Sequence, residues 1–376
     1  MKLIKRISLP KQYLILVIVW AIVQGWLLWK NGIVTHLEAT KYINEANHFL
    51  QTGDFSAPNF YLYSSQIILI AAAITIKTGF ISIVILQWML NLLATFMFYK
   101  MALIFLKKEW LVFLATTLFI INIPYQHYNS YLYTESIFYS LTIIFSSYLL
   151  RIKKLNPHNI LVIILMLLLL SVTRPTGILF FPATAIYLFF RFFYRVKFIY
   201  KILISAGTLI VFLVILDQLL QTGGNFNFML PFEKENIICG VNTTSEVSIK
   251  TIKESNSLKG IVYYVANNGD QFFRLARLKT IAFFGFTRDY YSSSHNWFLI
   301  LFFYPFYLLS IIGIWKKIKQ KDKRILFMLS IIILYWITTL LTCDDWHNRF
   351  ILTVFPFFFL TGLAAFSKNN IEEVGK

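Results

Sequence analysis

The chain has 376 residues, 58% of them hydrophobic and only 14% charged, with a formal net charge of +18 and a mean hydropathy of +0.65. A soluble protein of this length cannot hide that much apolar surface in one core, and its continuous apolar runs are not the short alternating segments of a membrane barrel. The positive charge is spread over short segments between apolar runs instead of being gathered on a compact basic domain, which argues against nucleic-acid binding.

The N-terminal stretch MKLIKRISLPKQ, followed by an apolar run to Trp29, resembles a signal sequence. It lacks a small-residue cleavage site, so it reads as a retained first helix. Apolar runs near the ~20 residues needed to cross hydrocarbon predict helices at 12–29, 81–106, 109–124, 131–150, 158–173, 177–192, 198–219, 296–315, 325–342 and 350–366. Only helices satisfy their backbone in lipid without forming a closed barrel. The predicted fold is therefore an all-α polytopic transmembrane bundle of about 10–11 spans, a single integral membrane domain over 1–376 in the plasma membrane.

With the N-terminus cytoplasmic, the dense basic clusters all fall on one side, as the charge rule for loops requires. They are Lys2 to Lys11, Lys107 and Lys108, Arg151 to Lys154, Arg191 to Lys201, and Lys316 to Arg324. Tyr61–Ile76 is short, and counting it as a span would put two of these clusters outside, so it is expected as a juxtamembrane helix on the outer side, the alternative being a true span with another segment wrongly assigned. Two substantial outer segments result, 30–80 and 220–295. Cys239 and Cys343 have no metal-site spacing; both are placed outside, where a disulfide is possible but two unrelated thiols are the first expectation.

Ionisable groups near hydrocarbon are costly and tend to be functional. Here Glu38, Glu135, Arg174, Asp217 and the group Asp344, Asp345, His347 and Arg349 are all placed at the outer ends of predicted helices. Bland readings stand beside each one. Asp344 and Asp345 read first as solvated loop charges, Asp217 as a local cap, and Glu135 with Arg174 as a structural ion pair. A secondary transporter places such groups near the midplane, on broken helices of repeated halves, and neither pattern is present.

Within the first outer segment, HLEATKYINEANHFLQTGDF carries Glu38, Tyr42, Ala46, Leu50, Gly53 and Phe55. TESIF with Glu135, TRPTG with Arg174, the stretch from Leu258 to Phe286, and NRFILTVFPFFF with Arg349 follow in order. Together these resemble the GT-C superfamily of membrane glycosyltransferases, which includes bacterial relatives of the protein O-mannosyltransferases and of the lipid A aminoarabinose transferase. The chain departs from that pattern in having Glu where Asp is commoner, NFYLY in place of a Pro-Tyr-Pro element, and no large C-terminal soluble domain.

The resemblance implies an enzyme that takes a sugar from a polyprenyl-phosphate donor and gives it to a glycan, lipid or protein acceptor at the extracytoplasmic face. It implies Glu38 and Glu135 as catalytic acids, with Glu38 as the base that deprotonates the acceptor hydroxyl. Arg349, Arg174 and His347 are the expected donor-phosphate ligands, because the guanidinium fork suits phosphate oxygens. Arg274, Arg277 and Lys279 are expected to touch lipid head groups. His36 with Glu38 supplies only two of the three or more ligands a metal needs, so no cofactor is assigned and a divalent metal stays open. The rival readings are a transporter or flippase, or a polymerase, of lipid-linked saccharides.

Overall fold

A computed structural model of the chain describes residues 9–192, 199, 207, 210, 213–214, 217–218, 221, 229–241, 248–253 and 255–367. The helix expected at 198–219 lies largely outside the described residues. All regular structure among the described residues is helical, apart from two isolated bridges. The main helices are α1 (Leu9–Asn31), α2 (Glu38–Thr52), α3 (Ser64–Ile76), α4 (Ile81–Leu106), α5 (Glu109–Ile120), α6 (Thr134–Arg151) and α7 (Pro157–Thr173). They continue as α8 (Phe180–Phe192), α9 (Leu258–Asn267), α10 (Gly269–Gly285), α11 (Ser293–Lys319), α12 (Arg324–Leu341) and α13 (Arg349–Ala364). Among the described residues, six helical stretches are long and apolar enough to cross a membrane. The chain is thus an all-α membrane protein.

One of those six is Pro58–Ile76, a short 3-10 helix from Pro58 to Tyr63 running into α3. The sequence placed Tyr61–Ile76 at the surface because it is short. The structure lengthens it at its N-terminal end, where Pro58 starts the helical turn. The helix expected at 109–124 stops at Ile120, and Pro124 opens a separate turn, Ile123–Gln126. That expected from 131 starts instead at Thr134.

The chain divides into two compact units. The first comprises Met1–Ile178, Leu308–Asp322 and Pro356–Lys376, and the second Leu179–Tyr307 and Lys323–Phe355.

In the first unit α4 packs chiefly on α6 and α5. Lipid tails are as apolar as leucine, so burying leucine cannot by itself specify which helices meet; small residues and buried polar pairs do that. Trp20 Nε1 donates to Asn91 Oδ1 at 2.8 Å. Gln24, Gln126 and Asn129 bond mutually at 2.9–3.1 Å, and the Ser136 hydroxyl closes the set on Asn129 Oδ1 at 2.7 Å. Each such bond contributes on the order of 0.6–2 kcal/mol in a membrane interior. Gly313 approaches Thr361 so closely that a Cβ would lie 1.7 Å from its carbonyl oxygen, which fixes that residue as glycine. Lysines cap helix ends: Lys317 donates to the Phe105 carbonyl, Lys316 to Ala365 O at 3.1 Å, and Lys108 to Phe366 O at 2.6 Å.

In the second unit α8 and α10 both pack on α12. Phe180 and Tyr187 meet Phe327 at ring separations of 6.3 and 6.2 Å. Met229, Phe232, Tyr264 and Leu275 form a small separate core. Asp217 accepts from the Leu258 amide and from Gln221, both at 2.7 Å, the local cap the sequence suggested. Cys239 and Cys343 form a disulfide, closing a loop of 104 residues.

Candidate functional site

The first unit brings Glu38, Glu135 and Arg174 together. After α1 the chain turns at Gly32, which has φ +62. Val34 then pairs with Tyr131 in a parallel bridge: Val34 N donates to Ser130 O at 3.0 Å, and Leu132 N to Val34 O at 3.1 Å. The bridge aligns two segments in register. Four residues on along each strand lie Glu38 and Glu135, and each acid enters the first turn of its helix, α2 or α6, where the dipole favours a carboxylate. Leu37, just before Glu38, is held at φ 56, ψ −122, a conformation a leucine adopts only under constraint.

One turn into α2, Tyr42 is fully buried, and its hydroxyl donates to Glu38 Oε1 at 2.8 Å. Glu135 is fully buried and ion-paired with Arg174, while the Thr134 hydroxyl donates to its other oxygen at 3.4 Å. Burial pushes the Tyr42 phenol well above its ordinary pKa; Glu38, Tyr63 and Glu135 push the same way and Arg174 opposes them. All these charges therefore act on one phenol, which stays protonated and keeps donating to Glu38. Lys41 lies over the Tyr63 ring at 4.3 Å.

Arg174 follows α7 in the turn Arg-Pro-Thr-Gly. Pro175 ends the helix, and Gly177 is required because a Cβ there would lie 2.2 Å from Leu170 O. Ser65 holds the end of α7 by donating to the Thr173 hydroxyl at 2.9 Å. Two turns along the same face of α2 from Glu38, Glu45 is buried and accepts from the amide and hydroxyl of Ser56, both at 2.6 Å. The i, i+4 spacing of Glu38 and Tyr42 was readable in the sequence; Tyr63 and Glu45 had no such signal.

Arg349 and His347 lie in the second unit, in the loop 342–349. Asp344 overturns the expectation of a solvated charge. It is fully buried and ion-paired with Arg288, a residue sequence reasoning missed. Its backbone is fixed from both sides: Asp344 N donates to Ile237 O and Cys239 N to Asp344 O, each at 2.8 Å, beside the disulfide. Burial raises the Asp344 carboxyl to about 7, although the Arg288 cation pulls it down. Asn348 donates to Phe286 O at 2.7 Å, and Phe286, His347 and Asn348 all take positive φ.

Arg349 is buried, pairs with Asp345 at 3.3 Å and donates through Nε to Trp346 O at 3.2 Å. His347 Nδ1 lies 3.2 Å from the Tyr291 hydroxyl. Burial pushes the Tyr291 phenol up. Lys279 is buried too. Its ammonium reaches Thr342 O and, at 3.5 Å, Leu340 O, and burial lowers its pKa to about 7.

Among the described residues no group of three or more His, Cys, Asp and Glu side chains is placed to hold a metal ion. No family model matches the chain, and no curated protein or solved structure matches it.

Proposed function

We propose that the chain is a membrane glycosyltransferase of GT-C type. It moves a sugar from a polyprenyl-phosphate donor to an acceptor hydroxyl at the extracytoplasmic face of the plasma membrane. The observation that carries this reading is the cluster Glu38, Tyr42, Glu135 and Arg174: one half-buried carboxylate at a helix start, oriented by a protonated phenol, beside a neutralised acid–base pair.

The step itself is a displacement at the anomeric carbon. Glu38 takes the acceptor proton, the acceptor oxygen forms the new glycosidic bond, and the bond from the anomeric carbon to the phosphate oxygen breaks with its electron pair leaving on phosphate. A positioned base contributes roughly 10²–10⁴-fold to such a step. Tyr42 donates to Glu38 Oε1 and so holds the orientation of the carboxylate. Glu135 is a positioning residue: it holds Arg174, and the pair sets the field around Tyr42 and Glu38. The resemblance gives Arg349 and His347 the donor phosphate. In its present state Arg349 is held by Asp345. Fixed cations stabilise a developing phosphate charge most strongly in a dry site.

A second reading, transport of a lipid-linked saccharide, rests on Gln66 and Asn122, which are buried with both side-chain polar atoms unpartnered. Polar groups of that kind suit a path through a bundle. The test is a transfer assay in liposomes with radiolabelled polyprenyl-phosphate sugars. Wild type should release sugar from one donor, and Glu38→Gln should lose at least about 100-fold while staying folded and inserted. Turnover by the variant at the wild-type rate would remove Glu38 as base. Movement of donor across the bilayer without sugar release would replace this reading by the transport one.

A further inference from the structure

Between the end of α5 and the start of α6 the chain is irregular. Pro124 opens the short turn Ile123–Gln126, and a 3-10 turn, His127–Ser130, follows before Thr134 begins α6. Such a segment has no repeating backbone pattern to hold it, so side chains have to supply the bonds. Asn129 lies in its middle and is buried. Its Nδ2 donates to Gln24 Oε1 of α1 at 3.1 Å and to Gln126 Oε1 at 2.9 Å, and its Oδ1 accepts from the Ser136 hydroxyl, in the first turn of α6, at 2.7 Å. Gln24 Nε2 donates to Gln126 Oε1 at 3.0 Å, and Gln126 Nε2 to the carbonyl of Phe119, near the end of α5, at 2.9 Å. Every side-chain nitrogen and oxygen of these three buried amides is thus bonded. Apolar side chains would fill the same space without fixing one arrangement; a fully bonded polar network specifies it.

Both carboxylates hang on this segment. Ser136 is the neighbour of Glu135, so its bond to Asn129 sets the turn that carries that acid. Glu38 is tied to it by the extended pairing. Val34 N donates to Ser130 O, the residue after Asn129, and Val34 O accepts from Leu132 N. Between those two bonds Gln87 of α4 donates through Nε2 to the Tyr131 carbonyl at 3.1 Å. The two strands are still side by side two residues on, where the Tyr133 hydroxyl donates to His36 O at 3.4 Å. Two residues further lie Glu38 and Glu135.

We propose that Asn129 is a positioning residue for both acids: it acts through Ser136 on Glu135, and through Ser130 and Val34 on Glu38, and so sets the spacing between them. What that spacing does rests on the glycosyltransferase reading; how it is set rests on the geometry alone.

Asn129→Leu removes three of the bonds and keeps much the same bulk. Amide exchange at Val34 and Leu132, measured in nanodiscs, should rise at least about ten-fold. In the liposome assay kcat should fall roughly 100-fold with KM little changed, because a displacement of about 1 Å at the reacting groups costs that much. Ser136→Ala loses only the bond to Asn129 and keeps the test open if Asn129→Leu does not insert; it should lower kcat about ten-fold, again at unchanged KM. Trp20→Phe is the control. It removes a buried bond of the same unit, from Trp20 Nε1 to Asn91 Oδ1, that does not reach residues 129–136. Its kcat, and its exchange at Val34 and Leu132, should match wild type.

Unchanged exchange at Val34 and Leu132 in Asn129→Leu would overturn the proposal, and so would raised exchange with a wild-type kcat. An equal loss of kcat in Trp20→Phe would overturn it too, by reducing the network to ordinary packing. If wild type transfers no sugar, the glycosyltransferase reading falls, and the exchange measurement, which needs no substrate, still decides whether Asn129 holds the two segments.

Discussion

Each unit holds a buried arginine–carboxylate pair, and the two are fixed by different means. In the first unit Glu135 and Arg174 sit at the ends of α6 and α7, and helix packing brings them together, with a short bridge at Val34 and Tyr131 as the one extended pairing among its described residues. In the second unit Asp344 lies in an irregular loop. A disulfide, two backbone hydrogen bonds, Arg288 and the Asn348–Phe286 bond hold it in turn. Helical ends orient a side chain through regular geometry. A loop has no such repeat, so every constraint on it has to be supplied by a separate contact.

The largest expected effect separates the two pairs from their surroundings. Removing one partner of a buried pair leaves an uncompensated charge and costs on the order of 3–5 kcal/mol. Arg288→Met and Arg174→Met should each lower thermal stability by about that much. Glu135→Gln with Arg174→Met should recover most of the first-unit loss, because helix packing survives without charge. Asp344→Asn with Arg288→Met should recover less. Equal recovery would end the distinction between the units.

Next in size is the disulfide. Cys239→Ser with Cys343→Ser should cost about 3–5 kcal/mol by loop closure, and amide exchange should rise over 342–349 while Val34 and Tyr131 stay protected. Protection lost equally in both places would show that the loop is not the separate, covalently held region described above.

Third is pH. The folded Asp344 carboxyl is raised to about 7 from 3.8, so the folded state holds its proton more tightly than the unfolded chain. Its stabilisation is complete below about pH 4 and is lost as pH rises through 7. Lys279 is lowered to about 7 from 10.5, the opposite sign. Its stabilisation is present above about pH 10.5 and is lost as pH falls through 7. Melting of the protein in detergent should therefore show a shallow minimum near pH 7, with a slope of at most about 1.4 kcal/mol per pH unit on either side. Asp344→Asn should flatten the acid side and Lys279→Met the alkaline side. An unaltered acid limb in Asp344→Asn would rule out this origin.

The smallest expected effect is Tyr42→Phe. Losing one hydrogen bond to a carboxylate should cost about 1.5–3 kcal/mol at most, and if Tyr42 orients Glu38 it should lower kcat more than it raises KM. Glu38 activity unaffected by that change would leave the phenol a purely structural role.

Much of the fold was legible because lipid imposes it. Apolar runs of spanning length must be helical to satisfy their backbones, and no tertiary contact is needed for that inference. Glu38, Glu135 and Arg174 stood out for the same reason, as charges beside hydrocarbon. Which charge meets which did not follow. Glu135 and Arg174 are 39 residues apart and Arg288 and Asp344 are 56 apart, and their pairing depends on how helices pack. Nor could the sequence decide whether Asp344 faces water or Arg288, or whether Cys239 reaches Cys343. Burial and loop closure are properties of the assembled chain, and a two-letter acid in a polar loop carries no local signal of either. The sequence by itself determined that the apolar runs are helical and which charges lie near their ends. Only the tertiary structure decided the partners of those charges, because contacts between distant segments are set by packing and not by composition.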